Sequence, residues 1–313
     1  MILALSLNTA LDKTLVLRRL EAGRRHLPEC CLDLAGGKAI NAARALVRFG
    51  RKVHVLGFVA GHTGRRVEAL LAKEGVPARW IRLPRGESRT CITVVHGAMA
   101  PTEFNEPGPA VPRASLLRLE ACFLRMLKGC RFALLCGRLP PGVPADFYAR
   151  LIRAAREQGV PCALDASAPA LEPGLRAGPD LVKPNVVEMA ELGLSTEPRR
   201  WRGSLQRLVG LGAREVFVSL GPRGALLGTA SEAMHAAGPR LRGCPLGCGD
   251  TFLAAAVHGF LSGWPLRRRL AFAVAAASAN VLTLGGGLFQ ERHLRDILSQ
   301  VRVRSLPNSS QNW

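Results

Sequence analysis

The chain has 313 residues, 48% of them apolar, and 43 Lys and Arg against 23 Asp and Glu give a formal charge of +20. That apolar share supports a large core and excludes a disordered chain, and no uncharged run reaches the roughly 18 residues that a membrane helix needs. The arginines are scattered in clusters of two or three with a single Tyr in the whole chain, which argues against a nucleic-acid surface and for attraction of small anionic substrates.

Residues 2–7 are apolar with no basic residue before them and no small-residue cleavage site after, so they read as a first buried strand and not as a leader. The apolar positions predict a helix over 39–49, a strand over 52–58 and a helix over 64–74. A β-branched alternation follows over 89–96, then a helix over 113–127 and a buried strand over 132–136. The rhythm continues with a helix over 145–157, strands over 161–164 and 181–183, and helices over 187–192 and 204–211. A strand over 215–220 precedes two Ala-rich helices over 250–261 and 266–282. Repeated strand–helix units predict an α/β fold with a mostly parallel sheet covered by helices on both faces. Such sheets bind ligands outside the carboxyl ends of their strands. Two β-prone stretches, 9–34 and 89–106, break the rhythm and read as a small separate sheet or lid. One domain over 1–304 and a loose tail over 305–313 are expected. The nine Cys include no C-x-x-C, which argues against structural zinc and a disulfide framework and points to reduced thiols in the cytoplasm.

Four segments could carry chemistry. Gly247-Cys248-Gly249-Asp250 leads directly into a helix, whose first N–H groups favour an anion. Asp250 at that mouth could accept the proton of an attacking hydroxyl, or it could be an ordinary N-cap. Gly36-Gly37-Lys38 opens another helix without the spacing of a P-loop, and Lys38 and Asn41 could grip a polar ligand there. Asp12, shortly after the first strand, could bind sugar hydroxyls or serve a turn. Asn185 and Glu188 have capping-box spacing, and could alternatively face phosphates and organise Mg²⁺ with its waters.

In chain order, Asn8 to Asp12, Gly36-Gly37-Lys38, the segment from Thr102 to Pro109, Leu139-Pro140-Pro141-Gly142, Lys183-Pro184-Asn185 with Glu188, Ser219-Leu220-Gly221 and Gly247 to Asp250 resemble the ribokinase/phosphofructokinase-B sugar kinases. The Thr102–Pro109 and Leu139–Gly142 segments resemble the 1-phosphofructokinase and tagatose-6-phosphate kinase branch. The resemblance implies a ribokinase-like three-layer sandwich with a β-lid that is often used for dimerisation. It implies transfer of the ATP γ-phosphate, with Mg²⁺, to a primary hydroxyl of a sugar phosphate. By position it makes Asp250 the base, and Gly247, Cys248 and Gly249 the anion hole. Asp12, Gly36, Gly37 and Asn41 then bind sugar, with Lys38 near the substrate phosphate. Lys183, Asn185 and Glu188 serve ATP, with Glu188 reaching the metal through water, and Ser219, Gly221, Gly224 and Asn280 lie in or near the nucleotide site.

The chain departs from that pattern where the substrate is chosen. The branch carries T-R-x-N on its lid, and here the segment is Thr90-Cys91-Ile92-Thr93. A thiol cannot replace a guanidinium fork on a phosphate. Arg138 stands where the branch has Ser, so Arg138 or Arg89 is expected to supply the missing charge. The alternatives are a kinase for an unphosphorylated sugar or nucleoside, and a weakly catalytic sugar-phosphate-binding homologue. Cys248 replaces the usual Ala of the anion hole, as a small thiol open to oxidation.

Overall fold

The computed structural model describes residues 1–97 and 100–307. The strands are β1 (Ile2–Ser6), β2 (Ala10–Leu17), β3 (Cys30–Gly36), β4 (Val53–Val59), β5 (Ala78–Arg82), β6 (Arg89–His96), β7 (Thr102–Asn105), β8 (Phe132–Cys136), β9 (Cys162–Asp165), β10 (Leu181–Val182), β11 (Glu215–Ser219), β12 (Ala225–Gly228), β13 (Ala233–Ala237) and β14 (Arg302–Ser305). The helices are α1 (Lys38–Arg48), α2 (Gly61–Lys73), α3 (Arg113–Leu127), α4 (Phe147–Glu157), α5 (Leu171–Arg176), α6 (Val186–Glu191), α7 (Trp201–Gly210), α8 (Cys248–Leu261), α9 (Leu266–Val281) and α10 (Glu291–Gln300).

The main sheet runs β14-β13-β12-β11-β10-β9-β8-β1-β4-β5. It is parallel from β11 to β5 and antiparallel from β11 to β14. Helices cover both faces. In β1, Leu3 and Leu5 enter one core beneath α3, α4 and α7, while Ile2 and Ala4 enter the other beneath α1, α8 and α9. A strand buried on both faces reads as one unbroken apolar run. That is why β1, β8 and β11 are legible in sequence.

A second sheet, β3-β2-β6-β7, is built from the two stretches that broke the rhythm. β2 pairs antiparallel with β3 and parallel with β6, which places Asp12 opposite both Leu34 and Cys91. Its outer strands leave Cys30, Cys31 and Phe104 exposed.

Four strands escape the sequence reading, namely β5, β12, β13 and β14, together with helices α5 and α10. β5 and β14 are short edge strands with two Arg each, a composition suited to sheet edges but without an apolar period. Ser305, expected in the tail, instead closes β14 opposite Met234. Leu306 is buried beside it. Residues 308–313 of that expected tail lie outside the described residues. No described helix is long and apolar enough to cross a membrane.

Candidate active site

The parallel strands end along one edge, and the candidate residues gather there. Asn8 follows β1, Arg138 follows β8, Asp165 closes β9, Lys183 follows β10 and Ser219 closes β11. Over this edge α8 presents its N-terminus, and α1 packs along α8.

The turn into α8 is fixed by sterics. Gly247 has φ 72°, and a Cβ there would fall 2.2 Å from Gly286 Cα, so only glycine fits. Cys248 N–H bonds Pro245 O at 3.2 Å, and the helical ladder begins at Thr251 N–H on Gly247 O at 2.9 Å. The N–H groups of Gly249 and Asp250 are thus the two donors of this first turn with no acceptor among the described residues. Of the three residues expected to form an anion hole, Gly247, Cys248 and Gly249, the Cys248 donor is used internally, while the Gly249 and Asp250 N–H groups are left for a ligand. The Cys248 thiol is pushed by burial up to about 12, with Cys244 and Asp250 adding to the effect. It is therefore held in its neutral form.

Asp250 is buried, and Asn41 Nδ2 donates to its Oδ2 at 2.9 Å. Burial pushes its carboxyl up to about 7, and Asp165 adds to this while Lys38, Asn41 and Lys183 oppose it. A carboxyl poised near neutrality beside free N–H donors is suited to accept a hydroxyl proton.

Asp165 is the residue that the sequence reading missed. It is 1% exposed, Lys38 Nζ donates to its Oδ1 at 2.8 Å, and Lys183 Nζ lies 3.0 Å from Oδ2. Burial alone would raise its pKa, but the two ammonium groups outweigh that and hold it below the usual range. Lys38 is raised in turn: burial works to lower it, and Asp165, Glu188 and Asp250 together prevail. Its Nζ also lies 3.7 Å from Glu188 Oε1. Lys38 therefore points toward Asp165 and Glu188 at the ends of the parallel strands. Lys183 reaches the same end, since a Cβ on Gly249 would sit 3.5 Å from its Nζ.

Asn185 and Glu188 form a complete capping box at α6. Asn185 Oδ1 accepts from Val187 and Glu188 N–H, and Glu188 Oε2 accepts from Asn185 N–H. This leaves Asn185 Nδ2 and Glu188 Oε1 for other partners. Ser219 bridges to Asn185 across β11, and Gly221 and Gly224 turn the chain beyond it with φ 61° and 87°. Asn280, expected in or near the nucleotide site, lies behind the turn that opens α8. It is fully buried, and its amide is spent on Thr251 Oγ1, Leu246 O, Gly285 O and Gly287 N. It braces the turn before α8 against the 285–287 segment.

On the acceptor side, Asp12 lies within β2 and not at the end of the first strand. Gly36 on β3 pairs with Ala10 on β2, and a Cβ on it would fall 2.1 Å from Asp12 Cγ. Gly37 caps α1 with φ 105°. Burial raises the Asp12 carboxyl against the pull of Arg44 and Arg89. Arg89 Nε donates to Asn8 O at 3.2 Å. Arg89 and Cys91 are two residues apart on β6 and so share a face with Asp12. The Cys91 thiol is pushed up to about 11 by burial, so it is neutral and offers no charge to a phosphate. Arg138 is exposed, and no ion pair or hydrogen bond holds its side chain among the described residues.

Residues 12–292 match the profile described as pfkB family carbohydrate kinase. The chain is 33% identical to the 1-phosphofructokinase of Rhodobacter capsulatus, over 98% of each chain. It is 26% identical to the tagatose-6-phosphate kinase of Staphylococcus epidermidis, over 97% of this chain and 99% of that one. Among solved structures it is similar to phosphofructokinase-2 of Escherichia coli in complex with potassium, with a TM-score of 0.87 and 30% identity over 95% of this chain and 98% of that one.

Proposed function

The chain belongs to the pfkB family of carbohydrate kinases, and from that premise we propose that it moves the γ-phosphoryl group of ATP to a primary hydroxyl of a sugar phosphate of the fructose 1-phosphate or tagatose 6-phosphate type. The observation that carries this reading is the buried Asp250, held near neutrality under two unpartnered N–H groups at the start of α8. Asp250 takes the proton of the acceptor hydroxyl as its oxygen bonds to the γ-phosphorus, the bond to the β-phosphate oxygen breaks, and ADP leaves. The Gly249 and Asp250 N–H groups stabilise charge on the transferring group. Lys38 and Lys183, both paired with Asp165, face the same charge.

No three or more His, Cys, Asp or Glu side chains converge into a metal cage among the described residues. Glu188, with one oxygen free of the capping box, fits a Mg²⁺ ion that is bound chiefly by phosphate oxygens and water. The ion would neutralise phosphate charge, and Glu188 would orient its waters. Asp12, Gly36, Gly37 and Asn41 hold the sugar. Ser219, Gly221 and Gly224 border the nucleotide, with Asn185 beside them.

Arg138 supplies the charge for the substrate's existing phosphate, and Arg89 adds to it from the lid. The four-stranded sheet covers the sugar side, and its open edges suit pairing with a second copy. Nine free thiols fit a reducing cytoplasm. A second reading rests on Cys91: with a neutral thiol opposite Asp12, an unphosphorylated sugar would meet no charge at that position. An ATP-consumption screen over fructose 1-phosphate, tagatose 6-phosphate, fructose 6-phosphate, fructose, ribose and adenosine separates the two. Turnover confined to the unphosphorylated compounds would overturn the first reading.

A further inference from the structure

Arg44 is 4% exposed on α1, and every one of its N–H groups has an acceptor. Nε and one Nη2 proton take the Glu74 carboxylate. The other Nη2 proton goes to Ala35 O, directly before Gly36. Nη1 donates to Gly286 O at 2.6 Å and to Asn41 Oδ1 at 2.9 Å.

We propose that Arg44 is a positioning residue, which orients the Asn41 amide toward Asp250 and ties the sugar-binding loop to the anion-binding turn. The first part follows from donor and acceptor identity. A guanidinium has donors only, so the Asn41 atom facing it must be the oxygen. The Asn41 NH₂ group is thereby turned to the opposite side, where Asp250 Oδ2 accepts it at 2.9 Å. A flipped amide would set donor against donor at Arg44 and oxygen against carboxylate at Asp250. The second part follows from packing. A Cβ on Gly286 would fall 2.6 Å from the Asn41 amide, and one on Gly247 would fall 2.2 Å from Gly286 Cα. The Gly286 backbone is thus wedged between Asn41 and the turn before α8, and Arg44 holds its carbonyl. The same cation holds the carbonyl before Gly36, whose missing side chain admits Asp12. One buried charge therefore sets the distance between the acceptor pocket and the transfer end, where about 1 Å of misplacement can cost on the order of 100-fold in rate.

The inference rests on Asp250 as base, and its test separates the two claims. Asn41→Ala, Arg44→Met, the combination, and Asp250→Asn are assayed with ATP and the best acceptor of the screen above. Arg44→Met is expected to lower kcat about 10- to 100-fold with little change in the KM for ATP. In the Asn41→Ala background the same change is expected to cost no more than about two- to threefold, because its route to Asp250 is already gone. Arg44→Met/Glu74→Gln removes the carboxylate that Arg44→Met leaves unpaired, and reads the same effect if the single variant does not fold. Fold losses that multiply across Arg44 and Asn41, or wild-type kcat in Arg44→Met/Glu74→Gln, overturn the positioning role alone. Near-wild-type turnover of Asp250→Asn overturns the base assignment and this inference with it.

Discussion

Lys38 Nζ donates to Asp165 Oδ1 at 2.8 Å, joining the first residue of α1 to the last residue of β9 across 127 positions of sequence. The contact sets the Asp165 carboxylate between the Lys38 and Lys183 ammonium groups and within electrostatic reach of Asp250. Its removal therefore has a signed consequence. The acidic limb of kcat/KM is expected near pH 7 in the wild type, with activity rising as Asp250 ionises. Asp165→Asn deletes a charge that raises Asp250, so the limb should move to lower pH. A pH–rate profile of the two proteins checks this, and a limb that stays or moves upward would count against the coupling.

Asp250→Asn is expected to lower kcat about 10²- to 10⁴-fold, the usual contribution of a general base, with ATP affinity roughly kept. Steady-state rates and nucleotide titration measure the two separately.

The same residue should cost stability at neutral pH. The pKa of Asp250 is raised from 3.8 to about 7 on folding, so between those values the native state binds more protons than the unfolded one. Its contribution is then fully present below about pH 4 and is lost as pH rises through 7. Asp250→Asn, which stays neutral, should raise Tm at pH 8 and do little at pH 4. Thermal unfolding at both values gives the comparison; equal shifts would show that the carboxyl is not strained.

Arg138→Ala is expected to raise the KM for a sugar phosphate roughly tenfold or more, since a hydrogen bond to a charged group is worth about 1.5–3 kcal/mol. The KM for ATP should hold. An unchanged kcat/KM for fructose 1-phosphate and tagatose 6-phosphate would transfer the role to Arg89.

Cys248→Ala should retain wild-type kcat within about twofold, because the thiol is neutral and its N–H faces Pro245 O. Asn280→Ala leaves the Leu246 and Gly285 carbonyls and the Gly287 N–H without their buried partner, and should destabilise the fold by on the order of 2–3 kcal/mol. Denaturant unfolding of both variants against the wild type checks the contrast.

Sequence alone determined the strand–helix succession, the separate β-prone pair of segments and the glycine turn into α8. These are local matters: a doubly buried strand must be apolar throughout, a helix start leaves free N–H groups, and a turn with positive φ selects glycine. Sequence also singled out Asp12, Gly36, Lys38, Asn41, Asn185, Glu188 and Asp250 as candidates. It left the capping-box reading of Asn185 and Glu188 open, and the structure shows that the box is formed.

Tertiary structure decided what each of those side chains does. Lys38 carries no sign in sequence of Asp165, which the fold sets beside it, and Asn280 is buried behind the turn only once α9 packs there. Arg44 carries no local sign of its role, because its acceptors come from Ala35, Glu74, Asn41 and Gly286, which are brought together only when α1 packs on α8 and the 285–287 segment closes over both. Donor–acceptor pairing in a low-dielectric interior depends on separation and orientation in space, and neither has a period along the chain.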